Sequence, residues 1–235
     1  MNKYKFRRFL RKYPALHLPF LRYKWKKWTE RNDCRFPPSI VVSEDTKLVV
    51  DGFPRSGNSF YVALLGVTQS SDLQMSHHLH SAAHIKEGVK RKLPVIVIVR
   101  NPKDAVLAYG AYDKNVPLKE GLLDWISFYE QVLALPRNSY GLARFEKFIR
   151  DGNEVVNDVN QIFEGLLKSF DHSVMQNNAK IRLEEISQQA FGRVHQSQPS
   201  EERNRYKEEI REQLESDALR PLLTHAQSIY EELCN

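Results

Sequence analysis

Two uninterrupted apolar runs constrain the fold of this 235-residue chain most strongly. Residues 47–51 read KLVVD, and residues 94–99 read PVIVIV, a run that is entirely β-branched after its proline. Such runs are typical of strands that are buried on both faces of a parallel sheet. Helical patterns at 59–66 and 103–112 follow the two runs. The alternation predicts an α/β fold of three layers, a P-loop-type sandwich with a central parallel sheet flanked by helices.

The remaining segments extend the same alternation. Further strands are predicted at 73–77 and 140–145, and further helices at 81–91, 119–135 and 153–169. The charged stretch 200–233 is predicted to be helical and split by Pro221. With 41% hydrophobic residues, a chain of this length can bury a core without disulfides. We expect a basic aromatic arm over residues 1–35 and a single α/β domain over residues 36–235.

Two features indicate the compartment. Cys34 and Cys234 lie near opposite ends of the chain, a spacing that indicates free thiols rather than a disulfide framework or zinc ligands. The sequence contains no transmembrane-length apolar run, and its basic N-terminus does not have the pattern of a signal peptide. We therefore expect a cytoplasmic protein.

The positive charge of the chain is concentrated at its N-terminus. Residues 1–35 contain twelve Lys or Arg against Glu30 and Asp33, a local balance of +10, so the other 200 residues sum to −4. Such a body is not a general polyanion binder, and we do not expect nucleic-acid binding.

The arm begins MNKYKFRRFLRKYPALHLPFLRYKWKKW, in which Lys and Arg alternate with aromatic residues. Pro14 and Pro19 predict a division into two short helical pieces. Residues 1–28 could lie on an anionic membrane surface, which would make the protein peripheral to a membrane. Two alternatives are that the arm holds an anionic acceptor, or that it packs its aromatic rings on the domain and leaves its charges in water.

The segment Gly52-Phe53-Pro54-Arg55-Ser56-Gly57-Asn58-Ser59 lies between a predicted strand and a predicted helix. Its glycine spacing equals that of the Walker A loop, G-x-x-x-x-G-K-[ST], whose backbone N–H groups surround a phosphate at a helix N-terminus. Asn58 stands where a nucleotide kinase has Lys, and the loop carries Arg55 instead. The pattern predicts binding of a phosphate-like anion, and the alternative is an ordinary βα turn.

A second cation, Arg100, follows the 94–99 strand. The carboxyl end of a central parallel strand is where α/β proteins bind ligands, and a guanidinium can bind a phosphate through two hydrogen bonds. The alternative is a structural ion pair with Asp104.

Residues 76–84 read SHHLHSAAH and contain four of the eight histidines. His78 and His80 would share one face of a strand, as zinc ligands do, although no Asp, Glu or Cys motif accompanies them. Alternatively, one of these histidines acts as a general base, since histidine titrates near neutral pH. A surface location without function is the third interpretation.

These segments together resemble the PAPS-dependent sulfotransferases, where PAPS is 3′-phosphoadenosine 5′-phosphosulfate. PRSGNSF resembles the PKSGTTW loop of that family, and more closely the PRSGNTF loop of its compact bacterial members. RNPKDAVLAY is similar to the RNPKDVAVSY segment, and SHHLH to KTHLP. The resemblance implies His78 as the general base, leaving open whether His80 has that role, and Arg55 as a catalytic cation. It also implies that PAPS is bound by Arg55, Ser56, Gly57, Asn58, Ser59, Phe60 and Arg100.

Four departures from the family pattern stand out. Ala108 replaces a serine that binds the 3′-phosphate, and the lysine of KTHLP is missing. The late RKG motif, which contacts the 3′-phosphate in the family, is also absent. Either Arg203 or Lys207 takes over that contact, or both residues lie on a solvated helix face. Phe145, in a segment that resembles RYED, either stacks on adenine or belongs to the core.

The resemblance implies transfer of a sulfuryl group from PAPS to an acceptor hydroxyl or amine, without a metal ion. The acceptor class is left open, as is the oligomeric state. A P-loop kinase of small molecules is the first alternative, and Asn58 argues against it. A non-catalytic protein that binds a nucleotide or polyanion on the same fold is the second.

Overall fold

The computed structural model describes residues 3–32, 41–70, 72–191 and 200–235; the side chains of residues 28, 29, 31, 32 and 186–191 lie outside that description. The first expected thiol, Cys34, therefore lies outside the described residues. The other, Cys234, is a free cysteine.

Four parallel strands form one sheet in the order β2-β1-β3-β4. They are β1 (Leu48–Gly52), β2 (Met75–His77), β3 (Val95–Val99) and β4 (Gly141–Arg144). All five residues of β1 and all five of β3 are buried, which confirms that the two apolar runs form the central strands. Val50 is paired with Ile96, and Ile98 with Ala143.

Eleven α-helices and a short 3₁₀ helix (Arg137–Ser139) are present in the described residues. Their bounds are α1 (Lys3–Leu10), α2 (Pro14–Asn32), α3 (Asn58–Thr68), α4 (Ala82–Lys90), α5 (Pro102–Tyr112), α6 (Leu118–Leu133), α7 (Phe145–Arg150), α8 (Gly152–Ile162), α9 (His172–Phe191), α10 (Glu201–Leu214) and α11 (Arg220–Cys234).

The alternation of side chains along the strands separates two apolar cores. Val49, Val97 and Val99 face one core, which α4, α5, α6, α10 and α11 complete. Ile96 and Ile98 face the other, which α3, α8 and α9 complete. The helices therefore cover both faces of the sheet, and the predicted three-layer α/β architecture is confirmed.

Two boundaries differ from the predictions, and one helix was not predicted. Pro19 does not divide the arm, since α2 continues through it. The neighbouring residues His17 and Leu18 are buried against the domain, which stabilises the helix at this point. The helix predicted at 153–169 ends at Ile162, where the side chain of Asn160 makes two hydrogen bonds to the backbone of Leu167, at 2.8 and 2.9 Å. No pattern in the sequence predicted α9.

The first N-terminal helix is attached to α6 through buried charge. Asp124 on α6, whose side chain is 1% exposed, forms ion pairs with Arg7, with Arg8 at 2.8 Å and with Arg11 at 3.8 Å. Arg8 also pairs with Glu120 at 2.6 Å. Burial opposes the charge of Arg7, but Asp124 more than offsets it and raises the pKa of Arg7. Part of the charge of the arm is thus neutralised by the domain.

Candidate active site at the carboxyl edge of the sheet

Because all four strands are parallel, the segments that follow them meet at one edge of the sheet. The glycine-containing loop follows β1, the histidine cluster follows β2, and Arg100 follows β3. Phe145 directly follows β4. The fold therefore gathers the segments that the sequence singled out, in the position where parallel α/β sheets bind ligands.

The loop after β1 is tightly curled. Arg55 and Gly57 have positive φ angles of 66° and 91°, and α3 begins at Asn58, directly after Gly57. A Cβ atom at Gly57 would lie 2.7 Å from Phe148 and 2.8 Å from Phe145, so only glycine fits. This turn leads directly into a helix N-terminus, the arrangement that suits an anion.

Asn58 fixes the loop. Its side chain is buried, and its Nδ2 atom donates a 2.9 Å hydrogen bond to the carbonyl oxygen of Phe53 across the loop. This amide group is already hydrogen-bonded within the protein. Asn58, which stands where a kinase has lysine, therefore closes the loop and supplies no cation. Ser56 is fully buried as well.

Four cationic side chains lie near the loop, and the charges of other members act on Arg55 and Lys207. The four are Arg55, Arg100, Arg203 and Lys207. Burial and then the charge of Arg203 lower the pKa of Arg55 to about 10. Burial, followed by Arg100, Arg55 and Arg203, lowers the pKa of Lys207. Like charges near one another disfavour the charged forms, and a bound anion would offset that effect. We refer to these four residues as the cationic cradle.

Aromatic rings and a carbonyl group position the two arginines of the sheet edge. The guanidinium of Arg55 lies 4.8 Å from the centre of the Tyr112 ring, and that of Arg100 lies 4.2 Å from the centre of the Phe145 ring. Arg100 also donates a 3.1 Å hydrogen bond to the carbonyl oxygen of Arg55. Burial lowers the pKa of Arg100, although Asp104 acts in the opposite direction.

The residues that depart from the sulfotransferase motifs lie close to the loop and to α5. Ala108 is buried in α5, and α10 packs on that helix carrying Arg203 and Lys207. These two cations therefore belong to the cradle rather than to a face that is remote from the site. Phe145 packs against Phe148 and beneath Arg100, so one face of its ring is occupied by the guanidinium.

The histidine cluster adjoins the loop. The Nε2 atom of His78 lies 3.0 Å from the hydroxyl of Ser59, in the first turn of α3. The Nδ1 atom of His78 lies 2.6 Å from Nδ1 of His77, a contact in which one proton is shared. Burial lowers the pKa of His77 to about 4, so that ring is neutral at pH 7. Both nitrogens of His78 thus have partners inside the protein.

Phe60, the last residue expected to bind PAPS, has a different environment. Its ring stacks on Phe148 with a centroid distance of 6.3 Å and is partly buried against the core formed by α3, α8 and α9. Its side chain therefore serves packing, which leaves its backbone for the ligand.

His80 has one nitrogen committed to the backbone. Its Nδ1 atom donates a 2.8 Å hydrogen bond to the carbonyl oxygen of Gly52, which fixes the proton on Nδ1 and leaves Nε2 as the basic atom. Burial lowers the pKa of His80, against the opposing charge of Asp51. The side chain is 27% exposed, so part of the ring is accessible from solvent.

The expectation that His78 and His80 share a strand face is wrong. Strand β2 ends at His77, and His78 and His80 have positive φ angles of 62° and 49°. Three of the four non-glycine residues with positive φ in the described ranges lie at this site, the third being Arg55. Such backbone costs about 1–3 kcal/mol per residue and is typical of functional sites. Within the described part of the chain, no group of three or more His, Cys, Asp or Glu side chains is arranged to hold a metal ion.

Asp51 stabilises this strained turn, and the sequence did not single it out. Its fully buried carboxylate accepts hydrogen bonds from the backbone N–H of Gly52 at 2.9 Å, His80 at 3.0 Å and Ser81 at 3.3 Å, and from Nδ1 of His84 at 2.9 Å. Burial alone would raise the pKa of Asp51, but these interactions, led by His84, lower it. The available signal was an acidic residue at the end of an apolar strand.

Ser76, His84 and Asp51 have the connectivity of a hydrolase triad. The hydroxyl of Ser76 lies 2.7 Å from Nε2 of His84, whose Nδ1 bonds to Asp51. All three residues are 0% exposed, so no substrate reaches the hydroxyl. The triad is structural and connects β2, α4 and β1 beneath the histidine turn.

Two aromatic residues of the site were also missed. Tyr129 is buried and donates a 2.7 Å hydrogen bond to the carbonyl oxygen of Ile98, while the N–H of Phe53 donates to its hydroxyl at 3.3 Å. It therefore ties the loop to β3. Tyr112, beneath Arg55, is half-exposed at the end of α5. Neither residue belongs to a motif that the sequence could have shown.

A narrow space separates the loop from the N-terminal helices. A cavity of about 10 Å³, room for about one water molecule, is lined by Phe53, His80, Arg11 and Asp124 among others. A groove of about 530 Å³ continues outward along α1 and shares Arg8 with this cavity. His80 is thus the histidine that faces the arm.

No protein-family model matches the sequence, and no curated protein is significantly similar to it. Among solved structures, the chain is similar to mouse sulfotransferase SULT7A1 complexed with PAP. The alignment covers 79% of this chain and 91% of the mouse chain, with 13% sequence identity and a TM-score of 0.45. A similarity this low supports no inference about activity, which has to rest on the side chains themselves.

Proposed function

We propose that this protein transfers a sulfuryl group from PAPS to an acceptor hydroxyl or amine. The observation that carries the proposal is the cationic cradle, in which Arg55, Arg100, Arg203 and Lys207 surround a phosphate-type loop at the sheet edge. Burial lowers the pKa of Arg55, Arg100 and Lys207, and neighbouring cations lower the pKa of Arg55 and Lys207 further; a bound polyanion would favour the charged form of all three.

The arrangement of the cradle suits a nucleotide with two separate phosphate groups. The loop from Gly52 to Ser59 and Arg55 would hold the 5′-phosphosulfate, and Arg100 the 3′-phosphate. Arg203 and Lys207 lie on α10, which packs on α5, the helix that contains Ala108, and they would supply the charge that the missing serine and the missing RKG motif do not. ATP fits less well, since Asn58 donates to Phe53 instead of placing a lysine on the phosphates.

The chemistry is an in-line displacement at sulfur. The acceptor oxygen or nitrogen forms a bond to sulfur, the bond from sulfur to the bridging phosphate oxygen breaks, and the acceptor proton passes to a histidine. Arg55 and the loop N–H groups stabilise the charge that develops on the sulfuryl and phosphate oxygens. PAPS supplies the activated sulfuryl group.

Two histidines are candidates for the base. The family resemblance assigns the role to His78, which lies beside the loop through Ser59. The hydrogen-bond pattern also supports His80, whose Nδ1 is fixed by Gly52 and whose Nε2 is basic. The base proposed from the sequence is therefore His78, with His80 as the specific competitor.

The function is tested by calorimetric titration of the purified chain with 3′-phosphoadenosine 5′-phosphate (PAP), beside a titration with ATP and Mg²⁺. We expect PAP to bind at least tenfold more tightly, a difference of about 1.4 kcal/mol. A preference for ATP with Mg²⁺ would instead establish the kinase.

The base is tested by the release of PAP from PAPS with a panel of alcohols, phenols and amines. Loss of a general base costs about 10²–10⁴ in rate. We expect that loss in His78→Asn or in His80→Asn, with PAP affinity retained, and no effect of His225→Asn, an exposed histidine on α11. Tight PAP binding without turnover for any acceptor class would favour the non-catalytic binding protein.

A further inference from the structure

The N-terminal helices carry a row of exposed apolar side chains. Six of the ten exposed large apolar residues in the described ranges belong to this short segment, and each is between 46% and 63% exposed. They are Phe6, Phe9, Tyr13, Leu16, Phe20 and Tyr23. Their spacing of three, four, three, four and three residues is that of one helical face. We call these six residues the apolar stripe.

The opposite side of the same helices is attached to the domain. Arg7, Arg8 and Arg11 pair with Asp124, and the backbone N–H of Ala83 donates a 2.9 Å hydrogen bond to the carbonyl oxygen of Arg11. In α2, His17 is buried and its Nδ1 atom lies 2.8 Å from the hydroxyl of Ser81. The stripe therefore lies away from these contacts, and its members Phe9 and Tyr13 also line the open groove along α1.

The charge around the stripe has a single sign. Residues 3–27 contain ten Lys or Arg and no Asp or Glu. Three of the ten face Asp124, and the seven that remain are Lys3, Lys5, Lys12, Arg22, Lys24, Lys26 and Lys27. Most of these seven are exposed. An apolar face rich in Phe and Tyr and flanked by lysines is the composition of helices that lie in the interface of an anionic membrane.

We propose that the apolar stripe and its lysines bind the surface of an anionic lipid bilayer, with α1 and α2 lying in the plane of the interface. Charge argues against a second copy as the occupant, because two stripes facing each other would bring lysine against lysine. No helix in the described ranges has an apolar stretch long enough to cross a membrane. The interaction is thus peripheral and depends on both apolar contact and lipid charge.

The proposal is tested by co-sedimentation of the full chain with vesicles of phosphatidylcholine alone and of phosphatidylcholine mixed with phosphatidylglycerol. We expect binding to the mixed vesicles only, weakened by added salt. Leu16→Ser combined with Phe20→Ser should lower that binding by about tenfold or more. Its matched control is Val174→Ser with Ile181→Ser, two exposed apolar residues on α9, and this variant should bind like the parent.

A second pair of variants isolates the charge. Lys24→Ala with Lys27→Ala should also lower binding by about tenfold, whereas Lys168→Ala with Lys180→Ala should not. Because all eight side chains are at the surface, unchanged thermal unfolding would show that each variant folds. Equal binding by the stripe and α9 variants, or no binding to anionic vesicles, would overturn the proposal. So would a dimer of the parent chain in sedimentation that the stripe variant abolishes.

Discussion

Two groups of arginines lie near the candidate site, and they differ in what balances their charge. Arg7, Arg8 and Arg11 of the arm converge on the buried Asp124. Asp124 raises the pKa of Arg7, whereas burial and the charge of Arg7 lower the pKa of Arg11 despite Asp124. In the cationic cradle, burial lowers the pKa values of Arg55 and Arg100, and the cationic neighbours of Arg55 lower its pKa further.

The density of basic residues in a sequence therefore does not locate the anion site. The arm has a local charge of +10, yet its inward-facing arginines already have a carboxylate. The cradle draws its four cations from three separate segments of an otherwise acidic body. What marks it is the placement of like charges around a loop of backbone N–H groups.

Removing the arm's carboxylate should have the largest effect on stability. Asp124→Asn leaves three guanidiniums facing a neutral amide, and breaking a buried ion pair from one side costs about 3 kcal/mol or more. We expect urea unfolding to show that loss, with PAP affinity unchanged. The matched control is Asp158→Asn, whose 2.7 Å pair with Lys147 lies near the surface and should contribute less than about 1 kcal/mol. Equal effects of the two variants would mean that the arm is not held by buried charge.

Each region also contains a histidine with a lowered pKa that should destabilise the fold in acid. Burial lowers the pKa of His17, against α4, and that of His77, in the site, to about 4 in each case. As the pH falls below about 6.5, these histidines become protonated in the unfolded chain but stay neutral in the folded chain. The free energy of unfolding therefore decreases down to about pH 4. Each histidine should lower the free energy of unfolding by on the order of 3 kcal/mol between pH 6.5 and pH 4.

This pH dependence is measured by urea unfolding at pH 7 and pH 5 for the parent, His17→Asn and His77→Asn. Each variant should lose less stability between the two pH values than the parent does. A parent whose stability is the same at both pH values would contradict the burial of these rings as neutral groups.

The smallest effect should come from the outer part of the cradle. Arg203→Ala and Lys207→Ala each remove a cation that is partly open to solvent, so we expect PAP affinity to fall about three- to tenfold. Arg205→Ala, an exposed neighbour on the same helix, is the control. Calorimetric titration gives the three values, and three equal affinities would exclude α10 from the site.

The sequence predicted the parts of the structure that short-range patterns encode. The apolar runs at 47–51 and 94–99 gave the central strands, and the spacing of Gly52 and Gly57 gave the loop. Arg55, Arg100 and the histidines reach one edge because parallel strands end there.

What the sequence could not show depends on contacts between distant segments. Asp51 became part of the site only through a turn 29 residues later, and Tyr129 through a helix 76 residues after Phe53. The left-handed backbone at His78 and His80 reversed the expectation of a strand face, because Asp51 holds that turn. Pro19 was expected to end a helix, but burial of its neighbours outweighed the lost hydrogen bond.

The most direct test of the account compares one arginine from each region. PAP is titrated into Arg100→Ala and into Arg8→Ala, with thermal unfolding recorded for both. We expect Arg100→Ala to lose about 100-fold or more in PAP affinity and to stay folded, whereas Arg8→Ala should be less stable and bind PAP like the parent. Undiminished PAP affinity in Arg100→Ala, or an equal loss in Arg8→Ala, would contradict the assignment of the anion site to the cradle.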